Sequence, residues 1–460
     1  VLKEVIKKIT PSNNELKDIK KILDEFLVEF KKNSKKLKID AEVFVGGSFA
    51  KGTVIKKDHY DLDIFIRFNK KYKDSELSDL TEKILKKFTE NFLFSVSQTS
   101  KKQEVRDIKN FHRIHGSRDY FNIQARNDLY LEIIPVINVN KPKESNNITD
   151  LSYSHVKYVR KKLKKNMLDD VRLTKAFCYA NNCYGAESYI RGLSGYVIEL
   201  LICYYKSFPR FLAEITKENK KQIKEHKNLW SKEYENHWKD IKNKIVIDIE
   251  KQYKNRELVL MDLNSSKLES PIIVIDPTFK ERNAAAALSY ETFEKFKKAC
   301  REFMKNPSEK FFEAKKIDFE KARIEAGKKK QEFIILEIET DRQEGDIAGS
   351  KLLKFFNHLK KETGKSFEIK NSGFEYNNEK KAKCFISAAR KKEIIFNGPY
   401  LKQKENVIKF KKEHKTTFVK KDRIFAREKI IYSIKGFILQ WKNKNSVRIN
   451  EMSVINLRIL

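Results

Sequence analysis

Two neighbouring stretches decide the fold: VFVGGSFAKGT at residues 43–53 and DLDIFIRF at residues 61–68. The first has the β-branched and aromatic residues of a short strand, followed at once by a glycine turn. Gly46 and Gly47 permit a positive φ angle or a close approach of the backbone, and Ser48 adds a hydroxyl and an N–H. Such a turn can open a helix whose free N–H groups face an anion. The stretch therefore predicts a strand, a tight turn and an anion-binding position.

The second stretch predicts a strand that carries two carboxylates. Because side chains alternate along a strand, Asp61 and Asp63 are expected on one face. The other face carries Leu62, Ile64 and Ile66, which are expected in a core. Neighbouring carboxylates repel each other unless a cation lies between them, and a divalent metal ion is the simplest such cation. Two metal ions about 3.5–4 Å apart catalyse in-line phosphoryl transfer. The plain alternative is a glycine turn beside a solvated acidic strand end.

A glycine-serine turn followed by Asp-x-Asp resembles the signature of the polymerase-β-like nucleotidyltransferase superfamily. The resemblance implies a mixed sheet with helices and a third acid on a later strand. LYLEIIPVINV, at residues 129–139, is the candidate strand because it is apolar and β-branched. Glu132 is the acid within it, at a position where the superfamily usually has Asp. Asp128 is the alternative third acid.

Composition limits the class of protein. A length of 460 residues suits two or three domains, and 40% hydrophobic residues suffice for packed cores. The 35% charged residues, and the lack of an unbroken apolar run near 18 residues, argue against a membrane protein. Residues 1–17 lack the apolar core and cleavage site of a signal peptide, so none is expected. The five dispersed cysteines form no CxxC pair and are expected to be buried, reduced thiols in a cytosolic protein.

The formal charge of +34 allows two interpretations. Clustered Lys and Arg side chains gain affinity for a nucleic acid by displacing counterions from its phosphates. A genome biased towards Lys, Ile and Asn codons would give the same excess as a merely solvated surface. The charge favours a nucleic-acid partner and does not decide it.

Four further motifs narrow the resemblance. They follow one another in the chain as DDVRLTKAF at 169–177, YGAES at 184–188, RGLSGYVIELL at 191–201 and DPTFKERNAAAALS at 276–289. Together with the turn and the acids, they resemble the archaeal-type (class I) CCA-adding tRNA nucleotidyltransferases from about residue 40 to about residue 310. The resemblance implies template-independent addition of C, C and A to the 3′ end of tRNA, from CTP and ATP, with Mg²⁺ as the cofactor.

The resemblance also implies the roles of single residues. The catalytic and metal-binding acids are Asp61, Asp63 and Glu132. The nucleotide-binding positions are Gly47, Ser48, Lys51, Ser152, His155, Lys175, Tyr184 and Arg282. Ser48, Lys175 and Tyr184 are expected to hold the triphosphate, Ser152 and His155 to lie against phosphate, and Arg282 to help read the incoming base.

Several of these residues also allow plainer readings. Lys175 lies on an otherwise apolar helix face, where an ammonium group needs an anion unless its head reaches water. His155, near the start of a helix, could make an ordinary polar contact. Ser48 and Thr53 could be turn and cap residues. The planar fork of Arg282 suits paired hydrogen bonds to a base.

The pattern along the chain predicts an α+β protein of three domains. Residues 1–148 are expected to form the nucleotidyltransferase head, with an amphipathic helix near residues 11–32 packed on its sheet. Residues 149–307 are expected to form a mainly helical domain that binds nucleotide and tRNA, with a helix after Asn283. Residues 308–460 are expected to form a small α+β tail domain that binds tRNA. The tail opens with a strand–helix–strand–strand pattern, whose helix should be capped by Asp346 and end before Gly364.

Two lysine-rich stretches lie outside these motifs. Residues 401–429 carry eleven basic and four acidic residues with interleaved phenylalanines, which suits a surface that follows tRNA phosphates. A solvated, lysine-rich hairpin is the alternative. Residues 211–255, with Trp230 and Trp238, predict a helix pair. The resemblance implies the acceptor and T arms of tRNA as the partner of the tail domain, together with CTP and ATP, a cytoplasmic location and no membrane contact, and it leaves a homodimer open.

Two rival functions remain at this point. One is a poly(A) polymerase or an oligoadenylate synthase-like enzyme of the same superfamily, because the order of nucleotides is not legible in the sequence. The other is a catalytically impaired RNA-binding protein, because Glu132 departs from the usual Asp.

Overall fold

The structure is a computed structural model. It describes residues 1–88, 111–116, 118–145, 147–217, 244–314 and 316–460. Contacts divide the chain into two compact units, Val1–Lys315 and Lys316–Leu460. The finer division into three domains, with boundaries after residues 148 and 307, stays a prediction. Trp230 and Trp238, around which a helix pair was predicted, lie outside the described residues.

The first unit contains a mixed sheet and a set of helices. Its described helices are α1 (Leu2–Ile9), α2 (Asn13–Lys36), α3 (Gly47–Lys51), α4 (Leu77–Leu85), α5 (Ser152–Lys162), α6 (Leu168–Ala180), α7 (Gly195–Tyr205), α8 (Phe208–Thr216), α9 (Arg256–Asp262) and α10 (Tyr290–Lys305). Its described strands are β1 (Ala41–Val45), β2 (Tyr60–Phe68), β3 (His112–Ile114), β4 (Tyr120–Arg126), β5 (Leu129–Ile137), β6 (Ile245–Ile247), β7 (Ile272–Asp276) and β8 (Phe279–Asn283).

The predicted strands pair in a sheet of order β1-β2-β5-β4-β3. β1 is antiparallel to β2, whereas β2 is parallel to β5. The register of the parallel pair sets Asp61 opposite Tyr130 and Asp63 opposite Glu132. The three predicted strands are therefore confirmed, and their pairing brings the acids of two distant motifs side by side.

The predicted amphipathic helix, α2, covers the apolar face of this sheet. Ser12 caps it in a reciprocal arrangement with Glu15, which satisfies two free N–H groups of the first turn. The buried residues that α2 and β2 contribute to one core are Ile19, Ile22, Leu23, Phe26, Phe30, Tyr60, Leu62, Ile64, Ile66 and Phe68. Burial of each such side chain stabilises the fold by about 1.5–3 kcal/mol. The core holds β2 with its acidic face turned away from the apolar layer.

The helices after residue 151 pack around a second core that is rich in phenylalanine. Phe177 of α6, Phe208 and Phe211 of α8, and Phe296 of α10 are all fully buried in it. This confirms the helical pattern predicted for residues 149–210. All five cysteines are buried and unpaired, as expected.

The prediction of a helix directly after Asn283 is wrong. Residues up to Asn283 form β8, which is antiparallel to β7, and the next helix begins only at Tyr290. The side-chain oxygen of Asn283 accepts hydrogen bonds from the N–H groups of Val274 and Ala285, each at 2.9 Å. These bonds hold the chain in a turn, and they outweigh the helical propensity of the four alanines that follow.

The second unit is an α+β domain. Its described elements are α11 (Phe319–Lys328), β9 (Glu332–Glu339), α12 (Asp346–Ser366), β10 (Phe367–Tyr376), β11 (Lys381–Arg390), β12 (Glu393–Tyr400), α13 (Lys404–Glu413), β13 (Thr417–Lys420), β14 (Arg423–Lys429), α14 (Ile434–Lys444), α15 (Ser446–Glu451) and β15 (Asn456–Ile459). The strands form two sheets, of order β10-β11-β9-β15 and β12-β14-β13. The predicted order strand–helix–strand–strand is confirmed by β9, α12, β10 and β11.

The predicted ends of α12 are wrong. The N-cap is Gly345, with φ of +84°, rather than Asp346, which is the first helical residue. The hydroxyl of Tyr376 lies 3.1 Å from the Gly345 nitrogen and 2.7 Å from its carbonyl oxygen, which fixes this start. The helix continues through Gly364 to Ser366 because Lys391 Nζ donates to the Gly364 carbonyl oxygen at 2.6 Å. A side-chain cation thus satisfies the helix end where a terminating glycine was expected.

The lysine-rich stretch at residues 401–429 contains α13 and the hairpin of β13 and β14. Its proposed contact with tRNA stays a prediction. None of the described helices has the length and the apolar composition that crossing a membrane requires.

Candidate active site

The glycine turn between β1 and α3 brings the backbone into contact with Asp63. Gly47 has φ of +59°. A Cβ atom at this position would lie 1.6 Å from Oδ2 of Asp63, and one on Gly46 would lie 2.3 Å from the ring of Phe65. The N–H of Gly46 donates to the Asp63 carbonyl oxygen at 2.9 Å. The two glycines are required because any side chain there would displace β2 or its carboxylate.

Three carboxylates form an acidic group at this turn. Asp63 and Glu132 are neighbours across the parallel strands, and Asp61 lies on the same face as Asp63. Burial raises the pKa of Asp63, an effect that Lys51 opposes and Asp61 reinforces. Burial and the charges of Asp63 and Asp61 raise the pKa of Glu132 to about 8. Burial and the neighbouring carboxylates thus disfavour the ionised forms of these acids, and a bound cation would favour them.

The donor set fits a divalent metal ion such as Mg²⁺. This ion prefers carboxylate oxygens, and it usually takes only one or two protein ligands together with waters and substrate phosphates. Among the described residues, no three His, Cys, Asp or Glu side chains converge closely enough to hold a metal ion.

The alternative third acid, Asp128, lies in the turn before β5. Its carboxylate accepts a hydrogen bond from Arg126 Nη2 at 3.0 Å, and its side chain is 41% exposed. Since Arg126 already neutralises Asp128, whereas Glu132 stands opposite Asp63, the geometry favours Glu132 as the third acid.

Lys175, on α6, meets a buried acid that the sequence reasoning missed. Its Nζ donates to Glu199 Oε1 at 2.9 Å and to Thr53 Oγ1 at 2.8 Å. Glu199, on α7, is fully buried, and its Oε2 accepts from Lys51 Nζ at 2.6 Å. Because the Lys175 side chain is only 3% exposed, it does not reach bulk water. A single Glu in the apolar helix sequence GYVIELL was the available signal for Glu199.

Charge in this cluster favours an incoming anion. Burial tends to raise the pKa of Glu199, but the ammonium groups of Lys175 and Lys51 outweigh it, and the pKa is lowered. Burial lowers the pKa of Lys175, although Glu199 opposes that effect. Two ammonium groups share one carboxylate, so the cluster keeps a net positive charge beside Asp63. Thr53 closes the turn after α3, since its N–H donates to the Ser48 carbonyl oxygen at 2.9 Å, and its hydroxyl also donates to Glu199 Oε1 at 2.9 Å.

A second buried acid, Asp276 at the end of β7, joins His155 to Arg282. Its Oδ2 lies 2.6 Å from Arg282 Nη1 and 3.0 Å from His155 Nε2. The ring of Tyr196 stacks on His155 with a centroid distance of 4.2 Å. Burial tends to raise the pKa of Asp276, but His155 and Arg282 hold it well below its usual value. The sequence motif DPTFKERN showed Arg282 as a candidate but gave no sign that Asp276 holds it.

The two clusters belong to one region, because the charge of Lys51 acts on both Asp63 and His155. Tyr184 is close by, since a Cβ atom on Gly195 would lie 3.1 Å from the Tyr184 hydroxyl and 3.7 Å from Lys175 Nζ. The structure thus brings Asp63, His155, Lys175 and Tyr184 together near Lys51.

Three other residues complete the description. Ser48 and Ser152 lie in the first turns of α3 and α5, and neither hydroxyl hydrogen-bonds to another described residue. Lys57, which the sequence reasoning missed, lies 5.4 Å from the ring centroid of Tyr184, and its charge lowers the pKa of Glu132. The Lys-Lys pair that precedes the Asp-x-Asp strand was its only signal.

Two protein-family models match the chain. The model of the nucleotidyltransferase domain matches residues 23–114, and that of the second domain of tRNA nucleotidyltransferases matches residues 169–313. The CCA-adding enzyme of Methanocaldococcus jannaschii is 28% identical over 455 residues, which are 94% of this chain and 88% of that enzyme. The chain therefore resembles the archaeal-type CCA-adding enzymes over nearly its whole length.

Other CCA-adding enzymes are more similar to this chain over shorter spans. The CCA-adding enzyme of Nanoarchaeum equitans is 39% identical over 252 residues, 55% of this chain and 52% of that enzyme. The one from Pyrococcus abyssi is 32% identical over 312 residues, 68% of this chain and 60% of that enzyme. The chain thus spans about half the length of the first of these relatives. A solved structure of a cytoplasmic RNA terminal U-transferase aligns over 69% of this chain at 13% identity and a TM-score of 0.45.

The match to the nucleotidyltransferase domain, together with the observed mixed sheet and helices, confirms the predicted fold class, a nucleotidyltransferase head within an α+β protein of several domains. The roles of single residues rest on the geometry above and stay predictions.

Proposed function

We propose that this protein is a tRNA nucleotidyltransferase that adds C, C and A in turn to the 3′ end of tRNA, from CTP and ATP, without a template. The observation that carries the proposal is the register of β2 and β5, which sets Asp63 opposite Glu132 beside the Gly47 turn. Two basic clusters border these acids, as a triphosphate requires. The relatives, which are named CCA-adding enzymes, do not favour a poly(A)-type activity.

In the proposed reaction the 3′-hydroxyl of tRNA attacks the α-phosphorus of CTP or ATP. The bond to the β-phosphate oxygen breaks and pyrophosphate leaves. Asp61, Asp63 and Glu132 would hold Mg²⁺, which when bound activates the attacking hydroxyl and stabilises the leaving pyrophosphate. The protein contributes chiefly by holding the reactants in line, which supplies a large part of the rate.

The remaining site residues bind the nucleotide. Lys51, Lys175 and Tyr184 hold the triphosphate, and their cluster is already charged and oriented by Glu199. Ser48, Ser152 and His155 contact phosphate. Arg282 donates hydrogen bonds to the base, which its planar guanidinium group suits.

The finer statements about partners belong to the same proposal. Residues 308–460 bind the acceptor and T arms of tRNA, with the basic stretch at residues 401–429 following the phosphates. The enzyme works in the cytoplasm with Mg²⁺, as a monomer or a homodimer.

Extension of a tRNA transcript that ends before CCA tests this function. CTP and ATP are supplied alone and together, and the products are resolved at single-nucleotide length. Two additions from CTP, and a third only when ATP is present, support the proposal. A long ladder from ATP alone indicates a poly(A)-type enzyme. Salt-sensitive tRNA binding without any extension indicates the RNA-binding alternative.

A further inference from the structure

Among the residues that the structure describes, Asp276 is the most heavily bonded acid that the proposed mechanism does not use. Its Oδ1 accepts from the Tyr196 hydroxyl at 3.0 Å and from both the N–H and the hydroxyl of Thr278 at 2.8 Å. Its Oδ2 accepts from Arg282 Nη1 at 2.6 Å and contacts His155 Nε2 at 3.0 Å. The carboxylate is fully buried. One oxygen therefore fixes Asp276 in the fold, and the other fixes Arg282.

Arg282 is held at one edge and open at the other. Its side chain is 21% exposed. Neither its Nε nor its Nη2 hydrogen-bonds to any residue that the structure describes, whereas Nη1 has Asp276 and, at 3.4 Å, His155 Nε2. The guanidinium carbon also lies 5.9 Å from the ring centroid of Tyr196. These contacts hold the guanidinium plane in one orientation, so the Nε and Nη2 donors point in a single direction.

A hydrogen-bond donor with a fixed direction can distinguish C and A from U and G. Arginine only donates hydrogen bonds. C and A each carry an unprotonated ring nitrogen beside the amino group of the Watson–Crick edge, whereas U and G carry an N–H there. A fixed guanidinium edge therefore suits C and A and opposes U and G. A guanidinium group that is free to turn would reach a carbonyl oxygen of U or G instead, and the distinction would be lost.

We propose that Asp276 is a positioning residue that sets nucleotide specificity, by holding Arg282 in the one orientation that accepts CTP and ATP and rejects UTP and GTP. The inference rests on the proposed function, in which Arg282 meets the incoming base. It assigns the discrimination between nucleotides to the ion pair of Asp276 and Arg282. The donors of Arg282 are the same in any orientation, so Arg282 alone would not distinguish the bases.

The test compares Asp276→Asn with Thr278→Val. Asparagine keeps the shape of Asp276, but its amide turns N–H groups either towards Arg282 or towards the Thr278 N–H, so one set of bonds is lost. Thr278→Val removes one hydroxyl bond at Oδ1 and leaves the Arg282 contact intact. For each variant, kcat/KM is measured for single-nucleotide extension of the truncated tRNA with CTP, UTP, ATP and GTP.

Asp276→Asn is expected to lower the CTP/UTP and ATP/GTP ratios of kcat/KM by at least about tenfold. Thr278→Val is expected to keep both ratios within about twofold of the wild type. An equal loss for all four nucleotides in Asp276→Asn means a structural role only and overturns the inference.

Three further outcomes decide the remaining cases. If Asp276→Asn fails to fold, Asp276→Glu retains the charge but displaces Arg282 by one methylene, and unchanged ratios in that variant overturn the inference. If the wild-type enzyme extends tRNA with neither CTP nor ATP, the proposed function fails and the inference with it. Correct extension by the wild type with unaltered ratios in the Asp276 variants contradicts the inference alone.

Discussion

Asp63 and Glu132 stand directly opposite each other on the parallel strands β2 and β5. They are separated by 69 residues in the chain, and each has a raised pKa because burial and neighbouring carboxylates disfavour its charge. Parallel pairing, which requires a long crossover connection, is what brings the Asp-x-Asp strand and the later acid into one group.

Replacement of Asp63 by Asn is expected to abolish nucleotide addition. The amide is neutral and cannot serve as a metal-binding carboxylate, so the rate of CMP incorporation should fall by at least about a thousandfold. Affinity for tRNA, measured by filter binding at fixed salt, should change by less than about threefold. Incorporation within tenfold of the wild-type rate would show that Asp63 is not a metal ligand.

The choice between Glu132 and Asp128 is tested by a matched pair of amides. Glu132→Gln is expected to lower kcat for CMP addition by at least about a hundredfold, because the acid opposite Asp63 is lost. Asp128→Asn is expected to keep kcat within about threefold, because that carboxylate is already paired with Arg126. The reverse result, with loss only in Asp128→Asn, would make Asp128 the third acid.

Alanine substitutions at Gly47 and Gly52 distinguish the effect of backbone strain from that of a steric clash with Asp63. Both have positive φ angles, +59° and +66°, so alanine at either site should cost about 1–2 kcal/mol of stability. Only at Gly47 would the new Cβ atom meet the Asp63 carboxylate, since the nearest atom at Gly52 is a Leu168 methyl group 3.9 Å away.

We expect Gly47→Ala to lose at least about a hundredfold in kcat while Gly52→Ala stays within about threefold of the wild type. Thermal unfolding of both variants provides the control. Equal losses of activity in the two variants would mean that the contact between Gly47 and Asp63 does not matter for the reaction.

The buried Glu199 is expected to affect CTP and ATP alike. Glu199→Gln weakens the hydrogen bonds that orient the ammonium groups of Lys175 and Lys51, so KM for both nucleotides should rise at least about fivefold. Stability should fall by about 1–3 kcal/mol, since a buried charged hydrogen bond is lost. Glu214→Gln is the matched control. It removes an exposed ion pair between Glu214, on the neighbouring α8, and Lys217, and it should change stability by less than about 1 kcal/mol. An unchanged KM in Glu199→Gln would separate Glu199 from nucleotide binding.

His155 is expected to make the first unit sensitive to mild acid. Burial, together with Arg282 and Lys51, lowers its pKa in the folded protein, and the facing carboxylate of Asp276 opposes this shift without reversing it. The unfolded chain therefore binds a proton at His155 more readily, and stability should fall as pH drops below about 6.5.

Thermal melts of the wild type and His155→Gln, recorded at pH 7.5 and 5.5, measure this effect. The wild type should lose more stability between the two pH values than the variant, since glutamine does not titrate. A variant that loses as much as the wild type would show that other groups, such as His358, account for the acid sensitivity.

The parts of the fold set by local periodicity could be predicted. The alternation around Asp61 and Asp63 and the spacing of the apolar residues in α2 fix a strand and a helix whatever surrounds them. The errors arose where a distant contact prevails over local propensity. Asn283 ends a strand through its bonds to Val274 and Ala285, and Lys391 lets α12 pass through Gly364.

The same distinction holds within the site. Motif residues such as Lys175 and Arg282 could be predicted from the sequence, because a charged side chain stands out in its local sequence. The acids that hydrogen-bond to them, Glu199 and Asp276, could not be predicted. Glu199 meets Lys51 from 148 residues away, and Asp276 meets His155 from 121 residues away. Only the packed structure shows that each basic residue of the predicted set is held by a buried acid.

Sequencing of 3′ ends tests the central claim most directly. A tRNA pool whose 3′ CCA has been removed is incubated with CTP, ATP and Mg²⁺, with wild-type enzyme and with Asp63→Asn in parallel. The account predicts that the wild type restores CCA on most molecules and stops there, and that Asp63→Asn leaves the ends unchanged. Homopolymer tails from the wild type, or unchanged ends despite bound tRNA, would contradict it.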